Sequence, residues 1–147
     1  MQKRIIDVTE LASVVDAFLA DYPAGAVVGL SGDLGAGKTT FVRRCILSIA
    51  ERQGVTIPRV LSPSFVLHQS YSFLVPQVEH FDLYRLENVS EQSLLEMGYY
   101  EAMENCLERQ GYLFVEWPEH VADEASLRLT VTMNVEIEEK GRVFRWK

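Results

Sequence analysis

The segment Gly32-Asp33-Leu34-Gly35-Ala36-Gly37-Lys38-Thr39 constrains the fold of this chain more than any other. It satisfies the pattern G-x-x-x-x-G-K-[ST], in which glycines let the backbone curl into a nest of N–H groups around phosphate oxygens. Its surroundings agree. Ala26-Val27-Val28-Gly29-Leu30-Ser31 is apolar rather than alternating, as expected of a strand buried on both faces. Over residues 38–53, Phe41, Val42, Cys45, Ile46 and Ile49 form one apolar stripe at helical spacing. Strand, glycine-rich turn and helix in that order place a helix N-terminus, with its partial positive charge, at the loop. The residues expected to hold a nucleotide's phosphates are Asp33, Leu34, Gly35, Ala36, Gly37, Lys38, Thr39 and Thr40. Lys38 is expected to bridge the outer phosphates, and the Thr39 hydroxyl to ligate Mg²⁺.

The rest of the chain reads as elements that can surround this unit. Residues 3–8 form a short strand, after which Thr9 can cap a helix carrying Leu11, Val14, Val15, Phe18 and Leu19. Residues 65–73 and 78–84 are aromatic and β-branched stretches forming a hairpin that can lie antiparallel to the rest of the sheet. Residues 90–110 read as helix, interrupted near Gly98. Tyr112-Leu113-Phe114-Val115-Glu116 is a second buried strand with an acid at its end. From Leu127 to Ile137 apolar and polar residues alternate, the period of a half-exposed strand, and Glu139-Lys140-Gly141 turns it into a last strand. The expectation is a three-layer α/β fold of the P-loop NTPase kind, with a mixed parallel and antiparallel sheet over a single domain of residues 1–147.

Composition narrows the function classes. The chain has 147 residues, long enough for one real core. Fourteen Lys+Arg stand against 21 Asp+Glu, a net charge of −7. That balance argues against a surface that wraps nucleic acid, because such affinity comes mainly from neutralising phosphates. Cys45 and Cys106 have no cysteine or histidine partners at zinc spacing, so a metal knuckle is excluded and two reduced thiols are expected. The N-terminus does not read as a signal peptide, and no apolar run approaches the roughly 20 residues of a membrane helix. A cytoplasmic protein is expected.

Two acids can complete a nucleotide site. Glu116 ends an apolar strand, and strand C-terminal ends line the ligand crevice of open α/β sheets. The other reading is a strand-end residue facing solvent. Asp82 lies in His80-Phe81-Asp82-Leu83-Tyr84-Arg85, where alternation puts His80, Asp82 and Tyr84 on one face. Such a face suits a hydrated cation, and equally the wet outer side of a hairpin. Ser62-Pro63-Ser64-Phe65 is either an ordinary loop or a switch segment whose hydroxyls reach Mg²⁺ or the γ-phosphate. Trp117 is either a lid or partner contact, or a cover for the core.

Taken together, the loop at 32–39, Ser62-Pro63-Ser64-Phe65, His80-Phe81-Asp82-Leu83-Tyr84-Arg85 and Leu113-Phe114-Val115-Glu116-Trp117 resemble, in that order, the bacterial TsaE family. This is the small ATPase of tRNA threonylcarbamoyladenosine (t6A) biosynthesis. The resemblance covers nearly the whole chain, and the H-x-D-x-Y-R segment is its most specific part. It implies an ATP- and Mg²⁺-dependent protein acting with TsaB and TsaD on adenosine 37 of tRNA. It further implies that Thr39 and Asp82 coordinate Mg²⁺, with Glu116 acting on the attacking water and close to the metal. Ser62, Ser64, His80, Tyr84, Arg85 and Trp117 then fall in or beside its switch regions and partner contacts. Ser64 departs from the family's more usual Thr but keeps the hydroxyl. The resemblance places the adenine near Thr9 and Glu10.

Arg85 is the one nearby candidate for an arginine finger in the same chain. If it does not reach, a partner must complete the site and intrinsic turnover is low. The rival readings are a small-molecule kinase, which usually carries an arginine-rich lid not evident here, and a non-catalytic switch in which the nucleotide only controls docking. The N-K-x-D and D-x-x-G segments of a GTPase are absent.

Overall fold

The apolar run 26–31 becomes the middle of the sheet. The computed structural model describes residues 1–57 and 67–147. Its strands are β1 (Gln2–Ile5), β2 (Ala26–Ser31), β3 (His68–Tyr71), β4 (Val78–Asp82), β5 (Tyr112–Glu116), β6 (Val131–Glu138) and β7 (Gly141–Trp146). Among the described residues they form one seven-stranded sheet in the order β1-β7-β6-β2-β5-β4-β3. β2 pairs in parallel with β5 on one side and β6 on the other, and β4 runs parallel to β5. β3, β7 and β1 add antiparallel pairings. The mixed α/β architecture expected from the sequence is therefore present.

Alternation along the buried strands feeds two cores. Val28, Leu30, Phe114, Val131 and Met133 face α1 (Leu11–Asp21) and α2 (Lys38–Gln53), where Phe18 is the hub. Its ring lies 5.5 Å from Phe41 and 5.9 Å from Trp146, both edge-on. Truncating such a ring costs about 3–5 kcal/mol. Val27, Leu113, Val115 and Phe81 face α3 (Glu91–Glu96) and α4 (Tyr99–Glu108) on the other side. Helices on both faces make three layers. Cys45 belongs to the first core and Cys106 to the second, both as free, buried thiols. Burial pushes both thiols up, Cys106 to about 12. No helix among the described residues is long and apolar enough to cross a membrane.

Four local expectations change. The first strand ends at Ile5, and Asp7, not Thr9, starts the helical segment. The Asp7 carboxylate accepts from the Thr9 N–H at 2.8 Å, and the Glu10 carboxylate accepts from the Asp7 N–H at 3.0 Å. This reciprocal capping box closes a 3₁₀ turn (Val8–Glu10) ahead of α1. The hairpin of β3 and β4 exists, but β4 is no wet outer strand. It lies between β5 and β3, and every residue of Val78–Asp82 is buried. Only β3 is antiparallel there. The alternation expected from residue 127 becomes a strand only at Val131, because Arg128 takes a left-handed conformation (φ 54°) after a 3₁₀ turn. The helical break at Gly98 (φ 81°) is where the sequence places it.

Candidate active site

The parallel order β6-β2-β5-β4 brings the C-terminal ends of β2, β4 and β5 to the start of α2, the crevice position of open α/β sheets. Between β2 and α2 the glycines have a steric reason. A Cβ on Gly32 would stand 2.4 Å from the Val135 carbonyl oxygen, and Gly37, the residue before α2, has φ 116°. No side chain among the described residues caps α2, whereas Ser90 caps α3. The first N–H groups of α2 thus meet the loop mouth without a protein acceptor from a cap.

Lys38 is buried at this mouth. Its ammonium donates to the carbonyls of Gly32 and Asp33, the latter at 2.9 Å, and lies 4.2 Å from the centre of the Trp117 ring. Burial holds its pKa below the usual lysine range. The charges of Glu116, Glu119, Asp82 and Asp33 oppose that shift.

Glu116 is 2% exposed. The Thr39 hydroxyl reaches both of its oxygens, at 2.7 and 2.8 Å, and His80 Nε2 lies 2.6 Å from Oε2. Asp82 is the register partner of Glu116 across β4 and β5. Its carboxylate accepts the Tyr84 N–H at 3.0 Å. Lys38, Thr39, Asp82, Glu116, Tyr84 and Trp117 line one cavity of about 170 Å³ with the loop. Hydroxyl and carboxylates supply hard oxygen donors, the set that Mg²⁺ takes with few protein ligands. Thr39, Asp82 and Glu116 are the residues that suit it.

Trp117 has φ 61°, a strained left-handed conformation for an aromatic residue. This turn brings its ring over Lys38, with Tyr84 at 5.3 Å and His120 at 5.1 Å. Trp117 is half-buried, packing on the α3/α4 core while covering the lysine. On the other side of the loop a second cavity of about 290 Å³ is lined by Ile6, Asp7, Val8, Leu11, Arg142 and Phe144, and it shares Gly35, Gly37 and Thr40 with the first.

The family model for threonylcarbamoyl adenosine biosynthesis protein TsaE matches residues 5–144. The chain belongs to the TsaE family. It is 34% identical over 122 residues to the tRNA threonylcarbamoyladenosine biosynthesis protein TsaE of Bacillus subtilis (strain 168), covering 82% of this chain and 68% of the relative. The TsaE protein of Nostoc sp. (strain PCC 7120) is 36% identical over 110 residues, 75% of this chain and 63% of that one. The match to these curated relatives thus spans about two thirds of their length. Among solved structures, the crystal structure of Bacillus subtilis YdiB is similar in fold, with a TM-score of 0.61 at 23% identity, over 98% of this chain and 82% of that one. TsaE membership places the chain in tRNA threonylcarbamoyladenosine biosynthesis.

Within this TsaE fold the residues singled out from sequence divide clearly. Lys38, Thr39, His80, Asp82, Tyr84, Glu116 and Trp117 come together around the first cavity. Asp33 and Leu34 are exposed on the loop, Leu34 at 67%, and Ala36 is buried beneath it. Arg85 is exposed just beyond β4 and is not among the residues lining either cavity. Thr9 and Glu10 do not line the second cavity; the Glu10 carboxylate is turned to the Ile6 and Asp7 N–H groups, and Asp7, Val8 and Leu11 line it instead. Ser62 and Ser64 lie outside the described residues. Sequence reading missed Arg142, whose Nε donates to the Ala36 carbonyl at 3.0 Å. A signal existed: alternation along β7 puts Arg142 on the face of Phe144 and Trp146, a cation on a core-facing stripe.

Proposed function

We propose that the chain binds ATP with Mg²⁺ and hydrolyses it slowly, as its part in the threonylcarbamoyl modification of adenosine 37 in tRNA, together with TsaB and TsaD. One observation carries the catalytic half of this reading: the hydroxyl of Thr39, next to Lys38 at the start of α2, bonds both oxygens of the buried Glu116. A buried carboxylate is costly unless it is paired, and the Thr39 partner of Glu116 stands at the mouth of the loop.

In this reading the loop N–H groups and Lys38 hold the phosphates, while Thr39 and Asp82 hold Mg²⁺. The metal, when bound, neutralises charge developing on the transferred phosphoryl group. Glu116 orients or deprotonates the attacking water. The nucleoside fits the second cavity, where Val8, Leu11 and Phe144 offer apolar walls beside the Thr9–Glu10 turn. Turnover is low because no arginine lines the Glu116 cavity among the described residues, and a missing arginine finger costs about 10³–10⁵ in rate. A partner is expected to complete the site. The net charge of −7 leaves tRNA binding to the partners.

The deciding experiment is t6A formation by reconstituted TsaB and TsaD with and without this chain, using Lys38→Ala as control. Product should require the chain and its lysine; formation without either would overturn the reading. Turnover by the isolated chain as fast as with partners would remove the partner-completion step. Glu116→Ala separates hydrolysis from docking: lost hydrolysis with unchanged t6A formation would make nucleotide binding, not catalysis, the function.

A further inference from the structure

We infer that His80 is a positioning residue for Glu116, an inference that rests on the reading of Glu116 as the group acting on water. The geometry is direct. His80 and Glu116 are 1% and 2% exposed, and Nε2 stands 2.6 Å from Oε2. The proposed role of Glu116 makes its carboxylate an acceptor, and in that role the bond requires Nε2 to carry the hydrogen and donate.

The bond also divides the two oxygens of the carboxylate. Thr39 has a single hydroxyl hydrogen, shared between Oε1 and Oε2. Oε2 takes a second donor from His80, whereas among the described residues Oε1 is met by Thr39 alone. One oxygen is therefore anchored and the other keeps acceptor capacity toward the cavity, the asymmetry that orienting a water requires.

Rigid elements support this anchor. His80 sits inside β4, paired with β5 on one side and β3 on the other, and the Leu83 N–H bonds the Glu116 carbonyl at 3.1 Å. Thr39 is the residue expected to serve the metal, while His80 has no such duty. It holds Glu116 in place whatever the loop binds. Side chains one bond removed from the chemistry tune it when their own rotamers are locked in this way.

The test combines single-turnover hydrolysis of γ-labelled ATP by the full chain with Mg²⁺ and calorimetric titration with ADP. His80→Ala should slow the hydrolytic step about 10–100-fold, in the range found for outer-shell partners. ADP affinity should change less than about twofold, because the phosphate-holding groups are untouched. His80→Gln, whose amide N–H can reach the same oxygen, should recover most of the rate, and His80→Phe should not. On a Glu116→Gln background, His80→Ala should add nothing. Equal slowing on both backgrounds, or loss of ADP affinity in step with rate and no recovery by Gln, would overturn the positioning role. Full activity of His80→Ala beside an inactive Glu116→Gln would overturn it too, while leaving Glu116 its part. Full activity of Glu116→Gln would instead sink the reading of Glu116 itself. Should His80→Ala fail to fold, the Gln and Phe variants carry the same comparison.

Discussion

His68 meets Glu79 at 2.8 Å, and His80 meets Glu116 at 2.6 Å, on the same three neighbouring strands. Both carboxylates are nearly fully buried. Around Glu79 the donors form a closed set: Ser70 at 2.9 Å and Gln77 at 2.8 Å on Oε1, and His68 on Oε2. Gln77 is itself held by Arg109 at 2.9 Å. Around Glu116 one donor is Thr39, at the start of the helix that carries the glycine-rich loop, and the remaining space is a cavity shared with Lys38. The pairs are chemically alike, yet only one shares its donor with residues placed to meet a ligand. A buried histidine–carboxylate pair becomes part of a site through the second job of its partners, not through its own strength.

The sharpest break between these regions comes from Lys38→Ala. It should reduce ATP hydrolysis more than about 100-fold, as loss of a charge-stabilising donor does. Thermal melting should show the fold intact, and the upward Tm shift produced by Mg²⁺ and ADP in the parent chain should vanish. Next, Glu116→Gln should lower single-turnover hydrolysis about 100-fold with stability changed by less than about 1 kcal/mol, since the amide keeps an acceptor for Thr39. Glu79→Ala should do the reverse. Chemical denaturation should show a loss of about 1–3 kcal/mol, with hydrolysis per folded molecule unchanged. His68→Ala is milder, about 1 kcal/mol by the same measurement, because Glu79 retains Ser70 and Gln77 and the imidazole is 29% exposed. The exposed Arg4–Glu138 pair on β1 and β6 sets the floor: Arg4→Ala should cost under about 1 kcal/mol and leave hydrolysis alone. A large effect there, or a silent Glu79→Ala, would blur the division between framework and site.

The parts legible in the sequence were those with local causes. α2 runs over Lys38–Gln53, as its apolar stripe and the glycines before it dictate, and β5 ends on the acid that interrupts an apolar run. Alternation put His80 and Asp82 on one face. Whether that face was wet or buried depended on β4 pairing with β5 and not lying at the edge, a matter of strand order that no spacing within residues 78–84 records. The helix start at Asp7 was within reach, because Asp7 and Glu10 stand at capping-box spacing and Thr9 lacks that partner. Arg142 belonged to the loop's surroundings only after β7 had folded alongside, more than a hundred residues from its acceptor Ala36.

The lysine at the loop mouth has a consequence for exchange. Its ammonium already has two carbonyl partners and an aromatic face against it. A phosphate arriving there gains the difference between its own oxygens and those carbonyls, not the full strength of a new charge-assisted bond. Departure is eased by the same margin, since the carbonyls reclaim the cation and no buried charge is stranded. The loop acts as its own placeholder, a setting suited to the repeated nucleotide uptake and release proposed for it.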